Sequence, residues 1–340
     1  MKLSIIIPIY NVEKYIQRCL ESVMTQKTDS FDVECLLIDD CTPDNSMDIA
    51  KEMVNNYQGK IEFIFLKHQQ NKGLSETRNT GIRNATGDFV LFIDSDDYLM
   101  PDSLTCMMEA KKQHPNADII IGNVYEQKYK KEQYHINKAQ YIQGGKEVRQ
   151  WMLTHEFAIS AWNKLFNRKF LIDNDLFFEP GILHEDVPWT FILYTKISSI
   201  LLIPEVTYYY WYNDDSISNA KRPNEKTVKS LTAGCRILLC TPYESALYVD
   251  QHLYIYRWLL NAINASRYCL STDTIVTLYG LRAKFMRETL SSFRLVLAVF
   301  FLSMYHPFIY VFRIKLFRRY FNQLSYYIGK LARLFDFIHT

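Results

Sequence analysis

Residues 3–9, LSIIIPI, are apolar at every position but Ser4 and are mostly isoleucine. A strand wetted on one face alternates apolar with polar residues, so a run dry on both faces belongs to a strand covered from both sides, as in a parallel sheet. Val12, Ile16, Leu20 and Val23 then recur at helical spacing. The couplet repeats. VECLLIDD (33–40) precedes NSMDIAKEMVNNY (45–57), with Asn45 or Ser46 as its cap, IEFIFLK (61–67) precedes SETRNTGIRNA (75–85), and DFVLFID (88–94) supplies a fourth strand. This alternation predicts βαβ units in an α/β fold with a mostly parallel central sheet, whose ligands bind at the carboxyl ends of the strands. Asp39, Asp40, Asp94 and Asp96 fall at such ends.

Beyond Pro101 the regularity loosens. A helix (102–113), a strand (117–126), a polar stretch (127–143), helical segments near 145–155 and 163–173, a loop turning into a helix (181–196) and a β-rich run (199–213) are expected in turn. Composition shifts between Asn213 and Glu225, after which the chain reads as helical, so domains of 1–220 and 221–340 are expected. With 48% of 340 residues hydrophobic there is material for a sizeable core. Seven cysteines without CxxC or paired spacing read as reduced thiols of a cytoplasmic protein. The apolar N-terminal run, broken by Pro8, is too short for a signal peptide.

Charge is unevenly divided. Of the 39 lysines and arginines, 7 lie from Thr289 onward, but of the 37 acids only Asp336 does. Residues 295–312 are 18 positions without a formal charge, near the lower limit for a membrane span but containing His306 and Pro307. In 313–335, Ile314, Phe317, Phe321, Leu324, Ile328, Leu331 and Phe335 recur at helical spacing against Arg313, Lys315, Arg318, Arg319, Lys330 and Arg333. Such a basic amphipathic helix is expected to lie on an anionic membrane surface. Packing within a helical subdomain, or on a twin chain as a homodimer, is the other reading. The slightly acidic body does not predict a nucleic-acid partner.

The fourth strand ends in Asp94, Asp96 and Asp97. Acids so close repel one another unless something neutralises them. A divalent cation does so, and Mg²⁺ usually takes one or two carboxylates and completes its shell with substrate phosphates. Alone, Asp-Ser-Asp-Asp is equally an ordinary solvated turn. The chain has no GxGxxG or Walker A pattern, so phosphates are expected to be held by metal and side chains.

Four ordered blocks weigh against the ordinary turn. SIIIPIYNVEKYIQRCLESV (4–23), LLIDDCTPDNS (36–46), NKGLSETRNTGIRNATGDFVLFIDSDDYLMPD (71–102) and HEDVPWTF (184–191) resemble, in this order, the bacterial family-2 glycosyltransferases of the GT-A fold. AWNKLFNRKFL (161–171) is similar to those that build capsule, O-antigen and exopolysaccharide. The resemblance covers residues 3–215. It implies inverting transfer of a sugar from a nucleoside-diphosphate donor to a hydroxyl of a lipid-linked or growing glycan. The work would be done at the cytoplasmic face of the inner membrane with Mn²⁺ or Mg²⁺ as cofactor, residues 1–97 holding the nucleotide and 98–220 the acceptor.

Residue by residue, the resemblance implies that Pro8 and Tyr10 border the nucleoside base. Asp40 would accept from a pyrimidine ring nitrogen, with Asp39 the other choice or a helix cap. Arg78 would stand near the diphosphate and the aspartates, able to pair with either. Asp94 would face the ribose and metal site, and Asp96 would bind the metal, leaving Asp97 to cap the helix that begins near Pro101. Asp186 is the expected base for the acceptor hydroxyl and Glu185 a loop- or acceptor-orienting acid, although both also suit a helix N-terminus. His184 could reach the metal, but a loop histidine is as readily structural or solvent-facing, and it is left unassigned. Trp162 or Trp189, before the tyrosines of 208–212, would offer a ring face to the acceptor. Two other classes share parts of this pattern. A sugar-phosphate nucleotidyltransferase normally carries a Gly-rich loop after its first strand, where PIYNVEKY has no glycine. A non-catalytic nucleotide-sugar-binding scaffold would not need Asp186 behind the metal motif.

Overall fold

The computed structural model describes residues 1–133, 135–154, 159–213, 223–242, 247–267, 269 and 271–290. The chain divides into two compact units, Met1–Lys221 and Arg222–Thr340.

The first unit opens with the alternation the sequence predicts. β1 (Lys2–Ile9), α1 (Ile16–Met24), β2 (Asp32–Asp39), α2 (Ser46–Asn56), β3 (Glu62–Lys67), α3 (Leu74–Asn84) and β4 (Phe89–Phe92) follow one another. Next come β5 (Tyr98–Leu99), α4 (Ser103–Gln113), β6 (Ile119–Glu126), β7 (Lys131–Gln133), β8 (Gln140–Gln143) and α5 (Gly145–Thr154). β9 (Lys164–Asn167), α6 (Arg168–Asp173), α7 (Asp186–Lys196) and β10 (Ser199–Tyr210) complete the unit. The strands form one sheet in the order β3-β2-β1-β4-β9-β6-β10-β5, with β7 beside β6 and β8 beside β10. β3, β2, β1, β4, β6 and β10 run one way, while β9 and β5 run against them. β1 and β2 are buried along almost their whole length, as strands covered on both faces must be. Each fully buried Ile or Leu there contributes roughly 1.5–3 kcal/mol.

One expected helix is in part a strand. Residues 164–167 of the predicted 163–173 helix form β9, wedged antiparallel between β4 and β6, where Phe166 lies opposite both Val90 and Ile119. The slot rewards two buried apolar residues and two ladders of hydrogen bonds, which outweighs local helical spacing. The helix starts only at Arg168, where the Asn167 side chain accepts from the Phe170 N–H at 3.3 Å.

Pro8 lies inside β1 rather than beyond it. In a parallel strand successive residues address opposite neighbours. The Ile9 carbonyl accepts from Asp40 on the β2 side, and the Ile6 carbonyl accepts from Ile93 on the β4 side. Pro8, in register with Ile6, therefore turns its missing N–H toward β4, whose pairing has ended at Phe92. A proline costs little there, and the chain is free to splay at this end of the sheet.

At the opposite end Glu34 is fully buried on β2. Its carboxylate accepts from the Ser4 hydroxyl at 2.5 Å, from the Thr86 N–H and hydroxyl at 2.6 Å each, and from the Lys2 ammonium at 2.6 Å. Burial by itself would raise its pKa, but the donors from Lys2, Ser4 and Thr86 outweigh it and hold the group down at about 2.

The second unit contains α8 (Glu225–Cys240), α9 (Tyr248–Ser266) and α10 (Thr272–Leu290). A capping box between Asn224 and Thr227 starts α8, and Val228, Ala265 and Cys269 form a small core. All seven cysteines are free. Among the described residues no helix is long and apolar enough to cross a membrane. The expected basic amphipathic segment, 313–335, and the uncharged run before it lie outside the described residues.

Glu34→Ala is expected to lower unfolding free energy at pH 7 by about 1–3 kcal/mol, because it strands buried donors on Ser4 and Thr86. A depressed carboxyl pKa contributes stability that is complete above its unfolded value of 4.5 and is lost as pH falls toward about 2. Denaturant titrations at pH 7 and pH 3 should therefore show the wild type losing more stability than the variant; equal losses would remove Glu34 as the cause.

Candidate active site

The carboxyl edge of the sheet gathers the acids. After β4 the chain turns, with the Asp97 N–H donating to the Asp94 carbonyl at 2.9 Å. Asp97 is buried and braced by β10: its carboxylate accepts from the Tyr208 hydroxyl and from the Trp211 N–H, both at 2.8 Å. It is not the cap of α4, which is preceded by Asp102 in a left-handed conformation and has no side-chain cap. Burial first, then the charges of Asp96 and Asp94, push the Asp97 carboxyl well up. Asp96 is half-buried and its Oδ2 accepts from Asn213 Nδ2 at 3.1 Å. Its carboxyl is also raised, by burial and then by Asp94, against donors from Asn213 and its own N–H and the charge of Arg18.

Helix α3 ties this edge to a second acidic loop. Arg78 is 2% exposed, donates Nη2 to Asp94 Oδ1 at 2.6 Å, donates Nη1 to Glu185 Oε1, and lies over the Phe178 ring. Its two partners are thus one aspartate, Asp94, and one glutamate, Glu185. Burial would lower its pKa, but Asp94 and Glu185 raise it further, so it is a permanent cation. Asn79 grips the same loop from the next position, exchanging hydrogen bonds of 2.8 Å with both the N–H and the carbonyl of Phe178. α3 itself sits close to β1 because residue 81 is glycine; a Cβ there would fall 2.4 Å from Ile6 Cγ2.

The loop so held delivers His184, Glu185 and Asp186 to the start of α7. Glu185 is buried and engaged by Arg78. Asp186 is half-buried, and among the described residues no hydrogen bond holds its carboxylate. Burial and then Glu185 raise its pKa to about 7, with Asp94 adding to the shift and Arg78 and Lys164 opposing it. Burial lowers His184. Lys164, fully buried on β9, donates to the Ser160 carbonyl at 2.6 Å and to its hydroxyl at 2.9 Å.

The two tryptophans separate. Trp189 is core: it stacks on Phe178 at 4.4 Å, donates to the Leu176 carbonyl, and has no face to offer a sugar. Trp162 is 8% exposed and stacks at 4.7 Å on Tyr208 and at 5.5 Å on Tyr210, which couples the 160–163 loop to the strand that braces Asp97.

On the β1–β2 side Tyr10 is exposed just past Pro8. Asp40 is buried and ties three donors together: His68 Nδ1 at 2.7 Å and the N–H groups of Lys72 and Gly73 at 2.8 Å each. Gly73 makes that contact at φ +84°, a conformation L side chains rarely adopt. Asp39 accepts from the Thr42 N–H and pairs with Lys67 at 3.6 Å, so it serves the turn before α2.

Among the described residues no three His, Cys, Asp or Glu side chains converge to enclose a metal by themselves. The pair Asp94 and Asp96, oxygen donors with Asp96 raised by burial and then by the other's charge, fits a hard cation whose remaining ligands come from a phosphorylated substrate. Sequence motifs brought Asp94, Asp96, Arg78, Glu185 and Asp186 to one place. They gave no sign of Arg18, His68, Asn79 or Asn213, whose bonds to Asp96, Asp40, Phe178 and Asp96 span 78, 28, 99 and 117 positions.

The family model for glycosyl transferase family 2 matches residues 4–175. Glycosyltransferase GlyA of Streptococcus pneumoniae is 27% identical over 274 residues, 76% of this chain and 37% of the relative. The uncharacterized glycosyltransferase EpsJ of Bacillus subtilis is 30% identical over 221 residues, 63% of this chain and 62% of the relative. The chain thus spans less than two thirds of these curated relatives. Among solved structures, S. aureus TarS 1-349 in complex with UDP-GlcNAc superposes with a TM-score of 0.64 at 22% identity, covering 84% of this chain and 81% of that one. The mannosyltransferase PcManGT of Pyrobaculum calidifontis, in complex with GDP-Man and Mn²⁺, gives 0.55 at 13% identity, covering 98% and 87%. The GT-A architecture is therefore common to all three chains, and the matched residues 4–175 run from β1 through both strand ends that carry the acids: the chain belongs to glycosyl transferase family 2.

Proposed function

We propose that the unit Met1–Lys221 transfers a sugar from a nucleoside-diphosphate donor to a hydroxyl of a lipid-linked or growing surface glycan, inverting the anomeric centre. The observation that carries this reading is the bridge from Asp94 through Arg78 to Glu185, which sets an acidic strand end beside a second acidic loop. The relatives support the substrate class: TarS is a poly(ribitol-phosphate) beta-N-acetylglucosaminyltransferase, and the complexes with UDP-GlcNAc and with GDP-Man make these the first donors to test.

In this reading Asp40, Pro8 and Tyr10 receive the base, Asp94 the ribose and metal side, and Asp96 holds Mn²⁺ or Mg²⁺. When bound there, such a cation would supply charge against the departing diphosphate, more in the transition state than in the ground state. Asp186 removes the proton of the attacking hydroxyl from the face opposite the diphosphate. Glu185, spent on Arg78, does not compete for that proton but orients the loop, and Trp162 orders the acceptor side through its tyrosine stack. A carboxylate raised to about 7 is a far better base than an ordinary one and still ionises at neutral pH. Residues 291–340 would hold the enzyme peripherally on the cytoplasmic face of the inner membrane, through the basic and apolar pattern of their sequence.

Asp186→Asn should keep nucleoside-diphosphate affinity and lose turnover by two or more orders of magnitude, about what general-base catalysis supplies; near-normal transfer would assign the base elsewhere. Because Asp186 must be ionised to act and burial raises its pKa, wild-type kcat/KM should fall as pH drops below about 7. A flat profile down to pH 5 would remove Asp186 from the step. Asp96→Asn should abolish the dependence of nucleoside-diphosphate affinity on Mn²⁺, and an unchanged Mn²⁺ titration sinks the metal assignment. Deleting residues 290–340 should move the protein from the membrane fraction to the supernatant. Equal membrane recovery would favour packing or a twin chain instead.

A further inference from the structure

Two segments far apart in sequence meet over the acidic turn. From α1, Arg18 donates Nη2 to the backbone carbonyl of Asp96 at 2.9 Å, and its guanidinium lies 3.8 Å over the Trp211 ring and 5.0 Å from the Tyr98 ring. One turn earlier, the Tyr15 hydroxyl donates to Asn213 Oδ1 at 3.2 Å, and Asn213 donates its amide N–H to Asp96 Oδ2 at 3.1 Å. The Trp211 N–H is held by Asp97 at 2.8 Å. Residues 211–213, just past β10, are thus pinned to the turn that carries the acids, and Asn213 is 9% exposed.

The choice of partner has a chemical meaning. The cation that reaches this turn from α1, Arg18, spends its hydrogen bond on a carbonyl and its face on aromatic rings, not on the Asp96 carboxylate. The side chain that touches the carboxylate is an amide, which, beside the residue's own N–H, fixes its rotation without cancelling its charge. An arginine there would compete with a cation; an asparagine does not. We propose that Asn213, oriented by Tyr15, is a positioning residue that holds Asp96 by one oxygen and leaves the lone pairs of the other for a divalent cation shared with a nucleoside diphosphate. The inference rests on the reading of Asp96 as the metal ligand.

The test is calorimetric titration of Mn²⁺ into the full chain saturated with UDP, or with GDP if the wild type binds that instead. Asn213→Ala should weaken Mn²⁺ by about ten-fold or more, the usual consequence of losing a residue that orients a metal ligand. Tyr15→Phe should weaken it by a smaller factor. Nucleotide affinity in EDTA should stay as in the wild type, which a general loss of structure would not allow. Asp96→Asn runs alongside. If it loses Mn²⁺ binding while Asn213→Ala keeps it, the inference is overturned and the metal assignment stands; if all variants bind Mn²⁺ as the wild type does, both fall. Should Asn213→Ala not fold, an unchanged Mn²⁺ constant in Tyr15→Phe overturns the inference.

Discussion

Arg78 stands between Asp94 and Glu185, and much of the site depends on that sharing. Taking carboxylates out of water costs several kcal/mol each unless opposite charge accompanies them. One guanidinium answers for two, and the two come from different elements, the end of β4 and the loop before α7. If either withdrew, Arg78 would keep one carboxylate and lose the acceptor of one of its nitrogens. Asn79 adds a second, uncharged grip on the same loop through Phe178. α3, clamped to β1 by the missing side chain at Gly81, thereby acts as a strut between the end of β4 and the loop before α7.

The acids outside this pairing are not equivalent. Asp97 is satisfied by Tyr208 and Trp211 and works as a brace. Asp96 and Asp186 hold a proton more tightly than ordinary carboxylates, because burial and then neighbouring carboxylates raise both. At the other end of the same strands Glu34 collects four donors. One end of the sheet is electrostatically closed and the other is left open, as expected where a fold concedes local stability to a site.

The parallel core was legible because its strands are buried on both faces, which writes itself into sequence as unbroken apolar runs, and because the helices between them keep a 3.6-residue period. The acidic edge was legible from its place at strand ends. β9 was not: four residues that look helical are claimed by a slot between β4 and β6 that exists only once both strands are in place. Asp97 was misread as a cap for the same reason, since its partners are Tyr208 and Trp211, more than a hundred positions away. Trp189 looked like a ligand platform beside the HED motif, yet it faces the core, where Phe178 covers it. Local patterns reveal which residues want burial or charge; they do not reveal which partner arrives from elsewhere in the chain.

The edge strand β3 has a consequence for solubility. Its centre, Phe63 to Leu66, is apolar and Phe65 is 38% exposed, the kind of segment onto which another chain could add a strand. Glu62 and Lys67 bracket it, and each is paired inward across the sheet, Glu62 with Lys2 and Lys67 with Asp39. A foreign strand docking along β3 would have to dry out both ion pairs. The charges that border this sheet thus also discourage its growth into an aggregate.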